Sequence, residues 1–294
     1  MALELSPSPL ALSRALEIAG RQASLTTIQR LVGGTHADTY LIRTTHPELA
    51  MILREFPAND ETAANEQSVL ATLDGLGGLA PRLLAASTDT VLNERPWLLI
   101  SQLPGLADLS PHDTEQRASE LGQTLARIHA TPMDCLSGLQ SIFDRPGGSL
   151  VGLAGPARVP VVAEWKHIAD ARGVLTHYDF WSGNVTWEHG NVQGVVDWNG
   201  GAIGPPGFDL GWCRLDLVLL YDEHTADVFL NSYEALMGGA LPHPLLWDLW
   251  AIARSFEAVE TWTHNYRALG RDDLTGAELR RRHSDWTNRL LGTY

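Results

Sequence analysis

Residues 175–185 read LTHYDFWSGNV. His177, Asp179 and Asn184 form the pattern H-x-D-x-x-x-x-N between two apolar, strand-like runs. Asp179 is a candidate general base. Asn184 follows closely enough for both side chains to point from one loop into the same place. Its amide oxygen is a neutral, hard donor of the kind that suits magnesium. His177 is better placed to orient such a loop through a backbone bond than to do chemistry.

The next segment extends the pattern. NVTWEHGNVQGVVDW, residues 184–198, reads as strand, turn, strand. A hairpin of that length returns the chain to the end where it began, so Asp197 is expected beside Asn184. A carboxylate and an amide oxygen there would hold a divalent cation, and Asp179 would orient a nucleophile and take its proton. Base, oxygen ligands and cation are the few groups that phosphoryl transfer requires.

Upstream, SPLALSRALEIAG (8–20) reads as a helix started at Ser8 or Ser6 and stopped at Gly20. TTIQRLVGGTHADTYLIRT and AMILREF alternate like antiparallel strands separated by glycine and proline turns. NDETAANEQSVLATLDGLG reads as a helix capped by Asn59 or Asp60. TVLNERPWLLISQLPG (90–105) reads as a further hairpin, and Pro104 and Gly105 mark a boundary. DTEQRASELGQTLARIHATP has helical spacing of its apolar residues. The stretch 137–160 is rich in Gly and Pro and has no clear period, and residues 208–291 read as largely helical. The expectation is an α+β fold in two lobes. Residues 1–103 would form a small lobe built on an antiparallel sheet. Residues 104–294 would form a larger, mainly helical lobe.

Of the 294 residues, 44% are hydrophobic and 19% charged, as in a folded globular chain. The net charge of −14 argues against nucleic acid as a partner and is compatible with a cationic small substrate. Cys135 and Cys213 have no metal-site spacing and read as ordinary thiols of a reducing compartment. Glu4, Arg14 and Glu17 interrupt the N-terminal segment, so it does not read as a signal peptide. The sequence holds no apolar run of about 18 residues, the length of a membrane span. No membrane partner is expected, and a cytoplasmic location is.

LTHYDFWSGN, GVVDW and GPPGFDLGW resemble the aminoglycoside phosphotransferase (choline-kinase-like) family of small-molecule kinases, which share the protein-kinase-like fold. The resemblance is strongest over residues 174–212. It implies ATP as phosphoryl donor, Mg2+ as cofactor and a small-molecule hydroxyl acceptor. It makes Asp179 the catalytic base and Asn184 and Asp197 the magnesium ligands, with Asp209 anchoring the larger lobe. In the first lobe it assigns the phosphate-holding cation to Arg54, where such kinases carry lysine, and its partner to Glu66. Ile52 shares a strand face with Arg54 and would lie against the adenine. Gly33 and Gly34 occupy the place of a phosphate-covering loop. Backbone groups from Ser101 to Leu103 would read the adenine edge.

Trp247, Trp250 and Trp262 could form an aromatic box or an ordinary core, and Glu257 and Glu260 could face a cationic acceptor or solvent. Two other readings stand beside the kinase. One is a nucleotide-binding pseudokinase-like protein without turnover, motivated by Arg54. The other is a metal-dependent phosphohydrolase, for which the additional carboxylate and histidine ligands are missing.

Overall fold

A computed structural model describes residues 7–31, 37–58, 60–88, 95–145 and 150–294. The chain divides into two compact units, Met1–Leu103 and Pro104–Tyr294.

The first unit is a five-stranded antiparallel sheet in the order β1-β2-β3-β5-β4. Its strands are β1 (Ser24–Leu31), β2 (Asp38–Thr45), β3 (Leu49–Glu55), β4 (Leu83–Ser87) and β5 (Trp97–Ser101). Helix α1 (Pro9–Ala19) starts where the Ser8 hydroxyl accepts the Ala11 N–H, with proline in its first turn. Ala11, Ala15 and Ala19 recur every fourth residue and give it a small-residue stripe. That stripe lies against Tyr40, Ile42, Met51, Leu53, Trp97 and Leu99, which are alternate residues of the central strands. The intervening residues Ile52 and Arg54 therefore project from the other face. Helix α2 (Glu61–Leu73) is capped by Asp60, whose carboxylate accepts the Thr62 N–H at 2.8 Å.

The hairpin expected at residues 90–105 needs correction. The strand paired with β5 is β4, with Ser87 opposite Trp97, and it lies upstream of Thr90. LLAAS has two alanines and no β-branched residue, so its strand character comes from the ladder and not from propensity. Residues 89–94 lie outside the described residues.

The second unit is built on helices α3 (Thr114–His129), α4 (Arg158–Ala169), α5 (Gly207–Leu220), α6 (Glu223–Met237), α7 (Pro244–Ser255), α8 (Thr263–Ala268) and α9 (Gly276–Thr293). Two small ribbons carry the loop of interest. Strand β6 (Val174–Thr176) pairs with β9 (Ala202–Gly204), and β7 (Val185–Glu188) pairs with β8 (Asn191–Val195). His189 and Gly190 both have positive φ, as a two-residue hairpin turn demands. Helix α4 has no counterpart among the sequence expectations: RVPVVAEWKHIA opens with valines and a proline, which weaken its helical signal. Proline is tolerated there because the N–H groups of a first helical turn have no intrahelical partner.

Helix α5 is buried along nearly all its length. Gly207 and Gly211, one turn apart, leave no room for a Cβ against Trp247 of α7. Their absent side chains let the two helices approach closely, which fixes the height of α5 beneath the 177–184 loop. Among the described residues, no helix is long and apolar enough to cross a membrane.

Candidate active site

One face of α5 holds the 177–184 loop. Asp209, Trp212 and Asp216 follow i, i+3, i+7 spacing and so point the same way. Asp209, fully buried, accepts the backbone N–H groups of His177 at 2.7 Å and Tyr178 at 2.6 Å. Its Oδ2 also meets His129 Nε2 at 3.1 Å, and His129 Nδ1 meets the Tyr233 hydroxyl at 3.0 Å. The Trp212 indole N–H donates to Asp179 Oδ1 at 2.9 Å. Asp216 accepts from the Ser182 hydroxyl at 2.7 Å and from the Tyr266 hydroxyl at 3.0 Å. Burial pushes the Asp216 carboxyl up to about 6, against the pull of its Ser182 and Tyr266 donors.

The loop's own residues complete the arrangement. Asn184 Nδ2 donates to the Asp179 backbone carbonyl at 2.9 Å and to Asp179 Oδ2 at 3.2 Å. His177 Nε2 bonds the Val196 carbonyl at 2.9 Å, and the Val196 N–H donates to the Asn184 carbonyl at 2.8 Å. The β7–β8 ladder thus continues one step past Val185 and Val195 and sets Asp197 beside the Asp179–Asn184 pair. Burial lowers the His177 pKa, so the ring is neutral and its Nε2–H is the donor to Val196. Tyr178 (φ 67°) and Asp197 (φ 66°) are both left-handed. Such backbone is uncommon for non-glycine residues and persists where surrounding bonds over-determine it.

Desolvation, and then the charge of Asp197, raise the Asp179 carboxyl to about 7; the Trp212 and Asn184 bonds oppose this. Two carboxylates and an amide held this close suit a hard dication. The Asn184 amide turns its NH2 toward Asp179, which directs its Oδ1 away from that carboxylate, and Asp197 adds an anionic oxygen. Oxygen donors of this kind fit magnesium.

In the first unit, Arg54 Nη1 donates to Glu66 Oε1 at 2.5 Å, and both side chains are buried. The Arg54 guanidinium also lies 5.5 Å from the Phe56 ring centroid. Ile52 is half-buried on the same sheet face. Ser101 is held to Arg82, its N–H donating to the Arg82 carbonyl and its hydroxyl accepting the Arg82 N–H, each at 2.9 Å. Leu103 is half-buried at the last position of the unit. Gly33 and Gly34 lie outside the described residues.

The remaining aromatic and acidic candidates sort differently from a shared box. Trp247 and Trp250 are core residues, buried against Phe208 at 4.9 and 4.8 Å between centroids. Glu260 is engaged by Arg280 at 2.5 Å, which holds its carboxyl below the usual range. Glu257 is exposed and lies past the end of α7 at Ser255, so it does not continue the helical spacing from Trp250. Trp212, Asp216 and His129 were not picked out from the sequence. The spacing Asp209, Trp212, Asp216 was the available signal, because it puts three polar edges on one face of an otherwise apolar helix.

A family model described as "Phosphotransferase enzyme family" (APH) matches residues 27–150 and 153–244. The chain belongs to this phosphotransferase family. It is a small-molecule kinase with the two-lobed α+β fold of protein-kinase-like enzymes. A homoserine kinase of Gluconobacter oxydans (strain 621H) is 25% identical over 237 residues, covering 72% of this chain and 74% of that protein. Among solved structures, the choline kinase LicA of Streptococcus pneumoniae matches with a TM-score of 0.61 at 19% identity, over 98% of this chain and 100% of that one. The aminoglycoside phosphotransferase APH(4)-Ia, solved with ADP and hygromycin B, matches with a TM-score of 0.59 at 15% identity, over 94% of this chain and 98% of that one. Within this phosphotransferase family, then, the 177–184 loop and the β7–β8 hairpin fall inside the matched residues.

Proposed function

We propose that this phosphotransferase moves the γ-phosphoryl group of ATP to a hydroxyl of a small molecule, with Asp179 as base and Asn184 and Asp197 as magnesium ligands. The observation that carries the reading is the convergence of Asp179, Asn184 and Asp197 on one buried loop and one hairpin end. ADP bound in a relative of the same fold supports the choice of donor. Relatives named for homoserine and choline support an alcohol as acceptor. Use of ATP fits the cytoplasmic location expected from the sequence.

Asp179 accepts a hydrogen bond from the acceptor hydroxyl and takes its proton as the acceptor oxygen bonds to the γ-phosphorus. The bond from that phosphorus to the bridging oxygen breaks, and ADP leaves. Trp212 and Asn184 hold the Asp179 carboxylate in one orientation through this change. Asn184 Oδ1 and the Asp197 carboxylate would hold magnesium, which would supply neutralisation of phosphate charge. Arg54, aimed by Glu66, adds a fixed cation for the α- and β-phosphates, with Ile52 against the adenine and the Ser101–Leu103 backbone at its edge.

The test is a panel of hydroxyl compounds incubated with ATP and magnesium and read by mass gain of one phosphoryl group. Phosphorylation of a panel member, lost on chelation of magnesium, is expected. Asp179→Asn should lower that turnover by roughly 100-fold or more, the usual scale of general-base catalysis. A parent enzyme inert on every acceptor, yet still binding nucleotide, would favour the pseudokinase-like reading.

A further inference from the structure

Helix α5 grips the 177–184 loop at two separate arms. Trp212 donates to Asp179 Oδ1 at 2.9 Å, on the arm that carries the candidate base. Asp216, one turn further along the same face, takes the other arm. Its Oδ2 accepts the Ser182 backbone N–H at 3.2 Å and the Ser182 hydroxyl at 2.7 Å. Its Oδ1 accepts the Tyr266 hydroxyl of α8 at 3.0 Å. Asp216, Ser182 and Tyr266 are all buried.

Ser182 opens the short 3-10 turn Ser182–Asn184, and Asn184 ends it. The Asn184 N–H donates to the Trp181 carbonyl at 3.0 Å, and the Val185 N–H donates to the Ser182 carbonyl. A turn of this length fixes several dihedral angles for very few backbone bonds, so it does not hold itself. Two contacts from outside hold it. Asp216 binds Ser182 through both backbone and side chain. The Trp181 indole lies over Gly183 and leaves no room for a Cβ there. Tyr266 supports both contacts: it donates to Asp216, and its ring meets Trp181 edge-on at 5.9 Å between centroids. The backbone from which the Asn184 amide projects is thus set by residues that lie beyond Asn184 and Asp179.

We infer that Asp216, Ser182 and Tyr266 are positioning residues for the metal arm of the site: they set the Asn184 amide, and with it the affinity for magnesium-bound nucleotide, separately from the base that Trp212 orients. The inference rests on the phosphotransfer reading above and deepens it. Partners one step removed from a metal ligand hold that ligand in its binding geometry, and their loss weakens metal affinity by about 10- to 100-fold. One helix therefore tunes two steps through two side chains a turn apart: Trp212 acts on proton transfer and Asp216 on metal and nucleotide.

The experiment measures binding of a non-hydrolysable ATP analogue to the whole chain by calorimetry, in saturating magnesium and in EDTA, on folded protein below each variant's melting temperature. Steady-state kinetics on an acceptor from the hydroxyl panel run alongside. Ser182→Ala and Tyr266→Phe each delete one hydroxyl and keep the Asp216 charge. Ser182→Ala also keeps the Ser182 N–H bond to Asp216, so the fold is retained. Each variant should lose about 10-fold or more of the affinity gained on adding magnesium, with binding in EDTA as in the parent. The KM for magnesium-ATP should rise by more than kcat falls. Trp212→Phe should show the opposite split, a lower kcat with the parental gain from magnesium. Asn184→Ala sets the scale. If it loses the gain while Ser182→Ala and Tyr266→Phe keep it, the positioning role is overturned and phosphotransfer stands. The same holds if the two hydroxyl deletions lower kcat alone, or weaken binding equally with and without magnesium. Asn184→Ala with the parental gain would overturn the ligand assignment and the inference with it. A parent that gains nothing from magnesium and phosphorylates no acceptor would overturn the phosphotransfer reading itself.

Discussion

The Trp212 indole N–H reaches Asp179 Oδ1 at 2.9 Å, from a helix that also supplies Asp209 and Asp216 to the same loop. The candidate base is therefore oriented by a side chain far from it in sequence. Trp212→Phe keeps most of the ring and deletes the donor. A bond to a charged group contributes about 1.5–3 kcal/mol, so turnover should fall by roughly 10-fold or more. The melting temperature should change little. Unaltered turnover in steady-state kinetics would mean that Asn184 alone orients Asp179.

Asp209 carries a structural load. It accepts the His177 and Tyr178 N–H groups and faces His129 Nε2, with no exposure to water. Asp209→Ala would leave two buried N–H groups unpaired, at about 1–3 kcal/mol each. Chemical denaturation should show a loss of that order, and activity should fall with it because the loop carrying Asp179 loses its anchor. A variant with parental stability would show that water replaces the carboxylate.

Arg54 and Glu66 should behave as one unit. Arg54→Ala is expected to raise the KM for ATP or lower turnover, and Glu66→Ala to reproduce much of that loss. The double variant should be less impaired than the sum of the two, by coupling of about 0.5–3 kcal/mol. Arg54→Lys keeps the charge without the planar fork and should be intermediate. Additive effects in a double-mutant cycle on kcat/KM, with all variants folded, would rule out the pair as a functional element.

His283 gives a pH prediction with a definite sign. It is buried, with Nε2 within 3.0 Å of the Ser255 hydroxyl and 3.2 Å of the Ile252 carbonyl. Burial lowers its pKa from 6.5 to about 4. Above pH 6.5 the ring is neutral in folded and unfolded chains alike. Between 6.5 and 4 the unfolded chain takes up a proton that the folded chain refuses, so stability falls as the pH falls. Below 4 this contribution levels off. The loss from this residue should be on the order of 3 kcal/mol. Urea titrations at pH 7 and pH 4 should show a smaller acid loss in His283→Gln than in the parent by about that amount; equal losses would contradict the assignment.

Much of this was legible in the sequence. Periodicity and turn residues marked the antiparallel sheet, α1 and α2, and the H-x-D-x-x-x-x-N loop with its hairpin announced a phosphotransferase of kinase-like fold. These signals are local: alternation, caps and short loop spacings act within one or two elements. The same local reading misplaced the strand paired with β5 and passed over α4, because Leu83–Ser87 and Arg158–Ala169 take their form from neighbours against their own propensities.

What the sequence determined by itself was which residues come together at the candidate site: Asp179, Asn184 and Asp197 are separated only by a loop and a hairpin, so backbone geometry brings them together. Tertiary structure alone decided what holds and surrounds them. Trp212 reaches Asp179 because two glycines let α5 settle against α7, and Asp209 of the same helix holds the His177 and Tyr178 N–H groups from a segment distant in the chain. Such contacts depend on helix packing at the scale of a missing methyl group, and no local spacing in the sequence encodes that distance.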